Sequence, residues 1–194
     1  MPLTTDWPTW LPDNIVSWLL RAALLAVLLF WVVGAYNRLM RHRHALAQAW
    51  GQIDELLSRR ASALEALMAP LAQPLADEAG SLQALLQAQE RQQQAARAVR
   101  LRPTQAEVLQ AWAQAEAGLA SPMARVQALL DQHPELAGSE AVKPPRQQLQ
   151  ELAARLGYAR QVFNDAAEGY NQAVEEFPTR LLMPLFGMRP TARI

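Results

Sequence analysis

The chain has 194 residues, of which 51% are hydrophobic and 19% are charged, a balance typical of a folded protein and not of a disordered one. Its 18 basic and 18 acidic residues cancel, so the basic surplus of a dedicated nucleic-acid-binding protein is missing, and we expect no nucleic-acid partner. The absence of cysteine excludes disulfides, zinc–thiolate sites and cysteine nucleophiles.

The first long apolar stretch runs from Ile15 to Tyr36 and carries one charge, Arg21. A helix needs about 20 apolar residues to cross the bilayer core. We therefore expect residues 15–36 to be a transmembrane anchor and residues 1–14 to be a short extracytoplasmic segment. A cleaved signal peptide is the alternative, but no Lys or Arg precedes the stretch and no clear small-residue cleavage site follows it, which favours an uncleaved anchor.

Basic residues follow the apolar stretch directly, at Arg38, Arg41 and Arg43. Cytoplasmic flanks carry the excess of basic residues, so the N-terminus is expected outside and residues 37–194 in the cytoplasm. This pattern predicts a single-pass membrane protein. The same three arginines are candidates for contact with anionic lipid.

Residues 37–178 carry the periodicity of four helices and no competing strand pattern. The first helix is predicted to stop at Pro70 and Pro74, and the second, about Leu75 to Arg100, to turn a glutamine-rich side to solvent. The third is expected to be capped by Thr104 and to be either kinked at Pro122 or restarted there with Ser121 as a new cap. The apolar residues of the first, third and fourth helices recur three, four or seven apart: Leu39, Leu46, Trp50, Ile53, Leu57, Leu64, Met68 and Leu71; Leu109, Trp112, Leu119, Met123, Val126 and Leu130; Leu149, Leu152, Leu156, Ala159, Phe163, Ala166, Tyr170, Ala173 and Phe177.

Short connections between these helices predict an all-α fold in which the anchor continues into an antiparallel four-helix bundle with coiled-coil-like packing. The first and fourth helices would each be about 50 Å long at 1.5 Å per residue. The fourth would end near the bilayer, because an even number of antiparallel passes follows the anchor.

Two segments resemble conserved runs of the LemA family, and together they bracket nearly the whole chain. Residues 36–60 carry Tyr36, Asn37, Arg43, Ala49, Trp50, Ile53, Asp54, Arg59 and Arg60; residues 159–188 carry Ala159, Arg160, Phe163, Asn164, Tyr170, Asn171, Phe177, Pro178, Leu185, Phe186 and Gly187. His133 to Leu136 are similar to the family's Tyr-Pro-Asp/Glu-Leu loop, with His in place of Tyr. The segment after Arg60 lacks the family's Ile-Pro-Asn-Leu and Gly-Tyr…His-Glu runs. The resemblance implies an N-terminal anchor, a four-helix bundle and no established enzymatic activity.

Two groups of polar residues are candidate partner-binding or register-setting positions. Asp54, Arg59 and Arg60 form either a docking patch or ion pairs with acidic residues of the fourth helix, Glu151, Glu168 or Glu175. Asn37, Asn164 and Asn171 each follow a tyrosine or phenylalanine and either line a binding groove or fix helix register as half-buried amides. The ion-pair and register interpretations are favoured.

No pattern for catalysis, metal or cofactor binding is found. His42 and His44 are two residues apart and so do not share a helix face, and no Glu precedes any histidine by three positions. Phosphate-loop, dinucleotide and nucleophile-elbow motifs are also missing from the sequence. We therefore expect no catalytic residue, no bound metal and no cofactor, and a protein that is not an enzyme.

Residues 179–194 form an apolar tail that is too short to span a bilayer. Its apolar residues, among them Leu182, Leu185 and Phe186, either lie on the bilayer or fold back onto the end of the bundle. The function expected is a non-enzymatic scaffold or adaptor that is tethered to the bacterial inner membrane and binds an unidentified membrane-protein partner. The alternative is a lipid-interacting, membrane-organising protein that self-associates as a homo-oligomer.

Overall fold

The computed structural model describes residues 13–177, 180 and 189–194. These residues are helical apart from the connections and the final segment, and they contain no strand. The elements are α1 (Asp13–Leu71), a 3-10 turn (Ala76–Glu78), α2 (Ala79–Leu101), α3 (Ala106–Gln132), a short α4 (Pro134–Ala137) and α5 (Lys143–Glu175). The all-α prediction is confirmed for this part of the chain.

Helix α1 joins the apolar stretch and the first predicted helix into one element of 59 residues, about 90 Å long. The side chains from Ile15 to Phe30 are almost all exposed, whereas the predicted stripe from Leu39 to Leu71 is buried. The apolar part is long enough to cross a membrane, and length and composition alone fit an anchor or a signal sequence equally. Pro70 lies inside the last turn, and the helix ends one residue later.

The four long helices pack chiefly as two pairs, α1 with α5 and α2 with α3. Contact between α1 and α2 is more limited, and the backbones of α3 and α5 hardly approach each other. Apolar residues from these helices nevertheless share two core clusters. In the first, the Trp50 ring lies edge-on to Trp112, with centroids 5.1 Å apart, and to Phe163, with centroids 5.9 Å apart. The second is built mainly from leucines such as Leu64, Leu85 and Leu130.

The second helix differs from its prediction at its start and on one face. Its α-helix begins at Ala79 and not near Leu75, because a 3-10 turn intervenes. Gln89 and Gln92 were expected in solvent with the other glutamines, but both are buried. They continue the spacing of three and four residues set by Leu82 and Leu85, which brings them onto the core face.

For the third helix, the expected cap is wrong, and the helix does not restart at Pro122. Thr104 does not cap it, since α3 begins at Ala106 after Gln105 and no side chain caps its N-terminus. Pro122 does not interrupt it, and α3 runs unbroken from Ala106 to Gln132. The carbonyl that proline leaves unpaired belongs to the residue four positions earlier, Gly118, which is exposed and so accessible to water.

The predicted stripe of the fourth helix holds as far as Ala173 on α5, with Ala167 buried more deeply than Ala166. Phe177 does not extend it, because α5 ends at Glu175 and Phe177 is 71% exposed. A residue that precedes proline is disfavoured in helical conformation, and Pro178 follows Phe177. The Phe177 ring instead lies 5.2 Å from the ring of Trp31 in the apolar part of α1.

Candidate functional site: the groove between α3 and α5

The separation of α3 from α5 leaves a groove of about 600 Å³ along one side of the helices. Its walls are mainly apolar, and its lining also contains Ile194 and four charged residues, Arg60, Glu116, Arg146 and Arg160. The apolar residues that line it include Trp112, Ala117, Ala120 and Met123 from α3 and Leu149 and Ala153 from α5. A groove of this size and character is typical of ligand or peptide sites.

Three of these charged side chains, from three helices, meet in the lining of this groove. The Arg60 guanidinium of α1 donates two hydrogen bonds to the Glu116 carboxylate of α3, from Nη1 to Oε1 at 2.7 Å and from Nη2 to Oε2 at 2.6 Å. Arg160 of α5 donates from Nη2 to Glu116 Oε1 at 2.7 Å, and its guanidinium carbon lies 5.4 Å from the centre of the Trp112 ring. This Arg60–Glu116–Arg160 cluster therefore links α1, α3 and α5 where α3 and α5 have little other contact.

The electrostatics of the cluster favour an ionised carboxylate. Burial alone would raise the pKa of Glu116, but the hydrogen bonds and charges of Arg60 and Arg160 outweigh it and lower the pKa below its ordinary value of 4.5. Two guanidinium groups against one carboxylate leave a net charge of about +1. The Nε atoms of both arginines are buried, and neither finds a hydrogen-bond acceptor within the described residues.

Residues 191–194 lie along α5 and are held there by Asn164 and Asn171. The Asn171 side chain accepts from the Thr191 N–H at 2.7 Å and donates to the Thr191 carbonyl at 3.0 Å. The Asn164 side chain makes the same two bonds to Ile194, at 2.8 Å and 2.7 Å. The spacing of these asparagines predicted either a binding groove or a register-setting role, and in the structure they bind a backbone segment. The end of the predicted apolar tail thus folds back onto the helices.

The other predicted polar residues are not brought together. Arg59 pairs with Glu55 of its own helix, and Asp54 pairs with Arg100 of α2, so neither uses the fourth-helix partners that were expected. Arg60 also takes its carboxylate from α3 and not from α5. Glu55 of α1 and Glu116 of α3 take the place of the expected acidic residues of α5, and Arg100 of α2 pairs with Asp54. The spacing of residues along one helix does not reveal these choices. Asn37 is exposed on α1 and joins neither of the other two asparagines.

The basic residues after the apolar stretch differ in surroundings. Arg38 forms an ion pair with Glu176 at 2.6 Å, whereas Arg41 and Arg43 are exposed. Burial raises the pKa of the nearby Tyr170 hydroxyl, and the charge of Arg43 opposes that shift. The predicted lipid-contacting residues Leu182, Leu185 and Phe186 lie outside the described residues.

Glu116 was missed by sequence analysis, although its position carries a signal. The third-helix stripe steps seven residues from Trp112 to Leu119, and Glu116 occupies the intermediate position that an apolar residue would fill. Arg60 occupies the corresponding position in the step from Leu57 to Leu64. Opposite charges at skipped positions of two facing stripes predict a pair across the interface. Among the described residues, no three His, Asp or Glu side chains are grouped so that they could hold a metal ion.

A comparison with known protein families matches residues 49–193 to the LemA family. The match contains the Arg60–Glu116–Arg160 cluster, both asparagines and the groove, and it leaves the apolar stretch outside. A comparison with curated proteins finds no match. Because the matched region covers most of the 194 residues, the chain belongs to the LemA family.

Proposed function

We propose that this protein is a non-enzymatic scaffold, tethered to the bacterial inner membrane by α1, that presents its helices to a membrane-protein partner. The observation that carries the proposal is the continuity of α1, in which an exposed apolar stretch passes without a break into a helix that supplies the core. A tether and a scaffold built from one helix move as a unit, so the distance of the scaffold from the bilayer is fixed.

A contact between the apolar stretch and the residues just after α5 supports an anchor over a cleaved signal sequence. The Trp31 ring contacts the Phe177 ring, and Ala35 is buried at 9% exposure. Cleavage after the apolar stretch would remove the Trp31–Phe177 contact and would need an accessible site within a continuous helix. We propose that residues 15–36 remain in place as the anchor.

In this proposal the four long helices form an antiparallel four-helix bundle on the cytoplasmic side, open between α3 and α5. The basic residues Arg38, Arg41 and Arg43 support this orientation, because such residues are retained on the cytoplasmic side. Helix α5 returns to the bilayer end of α1, where Glu176 pairs with Arg38. The bundle would then stand on the membrane with its groove parallel to α1.

The groove between α3 and α5 is the proposed partner-binding surface. Its apolar walls suit the apolar side chains of a peptide segment, and the net positive charge of the Arg60–Glu116–Arg160 cluster suits a carboxylate on that segment. We propose that the occupant is an acidic, partly apolar segment of a membrane protein.

Photo-cross-linking in intact cells tests the proposal. A photo-reactive amino acid in place of Ala117, which lines the groove, should capture a small and reproducible set of membrane proteins. The matched control is the same amino acid in place of Ala111, an exposed residue of α3 outside the groove. Identical capture patterns at both positions, or no capture at Ala117, would rule out the groove as the adaptor surface.

The second candidate is a lipid-interacting protein that organises the membrane around it, and the exposure of Arg41 and Arg43 beside the apolar stretch favours it. Each basic residue near an anionic surface contributes about 1 kcal/mol to lipid binding. Native mass spectrometry of protein extracted with its bound lipid would then show loss of anionic lipid in a variant carrying Arg41→Gln and Arg43→Gln. Equal retention of anionic lipid by both proteins would remove this candidate.

A further inference from the structure

Asn164 and Asn171 bind the backbone of residues 191–194 in the way that a binding site holds a separate peptide. Each side-chain amide donates to the carbonyl and accepts from the N–H of the same residue, which is the pair of bonds that two facing residues exchange in an antiparallel sheet. The asparagines are two helical turns apart, about 10.5 Å, and three extended residues span about 10 Å. The helix therefore offers two backbone-binding positions at the spacing of an extended strand.

The side chains of the bound segment also find selective surroundings. Thr191 is 7% exposed, and Ala192 and Ile194 pack against the core cluster that contains Trp50. Arg193 points to Glu168, with Nη1 and Oε2 3.7 Å apart. The site thus suits an extended peptide with small or branched apolar residues and one basic residue, and it accepts any non-proline backbone at its two asparagine-bound positions.

The chain between α5 and residues 191–194 is longer than it needs to be to reach Asn164 and Asn171 of the same molecule. Residues 176–190 join the end of α5 at Glu175 to Thr191. Fully extended, such a length of chain reaches about 50 Å. Asn171 lies only about one helical turn, roughly 5 Å, before the end of α5 at Glu175. The same segment can therefore reach the equivalent site on a neighbouring molecule.

We propose that the Asn164–Asn171 site is a peptide-binding site whose second occupant is residues 191–194 of another copy of this chain. Binding within one chain and binding between chains use the same contacts, so the local concentration of neighbours decides between them. This geometry rests on the proposed membrane tether, because copies anchored by α1 hold their asparagines at one height above the bilayer. Exchange of the segment then links tethered molecules side by side.

Cross-linking between two single-cysteine chains tests the exchange, and the natural chain contributes no background because it has no cysteine. One tagged chain carries Glu168→Cys and a second, differently tagged chain carries Arg193→Cys; both residues are more than half exposed. The two are expressed together, membranes are isolated and a short bis-maleimide is added. A third chain with both substitutions reports binding within one molecule.

The expected result is a cross-linked heterodimer whose yield falls about tenfold when the Glu168→Cys chain also carries Asn164→Ala and Asn171→Ala, given the usual strength of the lost hydrogen bonds. Circular dichroism checks that this chain is folded, and Asn164→Ala alone is the milder variant if it is not. Three results would overturn the exchange: only the intramolecular product, a heterodimer insensitive to the asparagines, or no product of either kind. Recovery of the chains in the soluble fraction would refute the tether separately.

Discussion

Replacement of Glu116 by glutamine tests whether the Arg60–Glu116–Arg160 cluster holds the helices together. The substitution keeps the size of the side chain and removes the charge that faces two guanidinium groups. Breaking a fully buried ion pair by removing one partner costs about 3–5 kcal/mol. Arg60 has a side chain only 10% exposed, but that of Arg160 is 33% exposed, so solvent relieves part of the cost. We expect Glu116→Gln to lower the free energy of unfolding by about 2–3 kcal/mol.

This loss can be measured by urea unfolding of the full chain in detergent micelles, monitored by circular dichroism. Urea is uncharged, so it does not screen the charges of the cluster. The matched control is Glu55→Gln, which removes the charge from the exposed pair with Arg59 and should cost at most about 0.5 kcal/mol. A loss for Glu116→Gln no larger than that for Glu55→Gln would refute the structural role of the cluster.

The pH dependence of the same measurement gives a second check. The pKa of Glu116 is lower in the folded chain than in the unfolded chain, so its contribution to stability is complete above the unfolded pKa. It is lost as the pH falls through the folded pKa, which lies below 4.5. The difference between the wild type and Glu116→Gln should therefore be largest near pH 7 and shrink at about pH 3. A difference that stays constant over this range would contradict the pKa shift.

Three further substitutions probe the packing, each measured as a change in the free energy of unfolding. Phe163→Ala removes a fully buried ring that lies against Trp50 and should cost about 3–5 kcal/mol, whereas Phe177→Ala at an exposed ring should cost below about 0.5 kcal/mol. Gln92→Met replaces a fully buried amide, which has no hydrogen-bond partner within the described residues, and should raise stability by about 1 kcal/mol. Gly118→Ala adds a methyl group in open space within α3 and should raise stability by about 0.5–1 kcal/mol.

Each of these expectations has a contrary result. Equal losses for the two phenylalanines would place Phe163 outside the core. A loss of stability in Gln92→Met would mean that its amide is satisfied in solution, and a loss in Gly118→Ala would mean that α3 is not regular around Pro122.

Spacing in the sequence predicted the buried faces of the helices well. The first-helix stripe from Leu39 to Leu71 is buried throughout, because residues three and four apart necessarily share a helix face. The same rule would have placed Gln89 and Gln92 in the core, but they were predicted to face solvent because glutamine is polar. Polarity was the wrong guide there, since the apolar residues on either side of them determine which face is buried.

Which residues of different helices pair with each other was harder to predict from the sequence. Arg60 and Glu116 are 56 positions apart. Each stands out as a charged residue within an apolar stripe, but their pairing also depends on how α1 and α3 align, which the spacing within either helix does not determine. The pair of asparagines was found from its spacing of seven, but its ligand was not. Thr191 and Ile194 carry no helical periodicity, so nothing in the sequence marks them as a segment that returns to α5.

The central claim is that α1 anchors the chain while the remaining helices stay on the cytoplasmic side. Its most direct test is modification of single cysteines in intact cells by a maleimide that cannot cross the inner membrane. Arg102→Cys lies in the exposed connection after α2, and Thr4→Cys lies before the apolar stretch. The account predicts that Thr4→Cys reacts in intact cells and that Arg102→Cys reacts only after lysis. Reaction of Arg102→Cys in intact cells would contradict it.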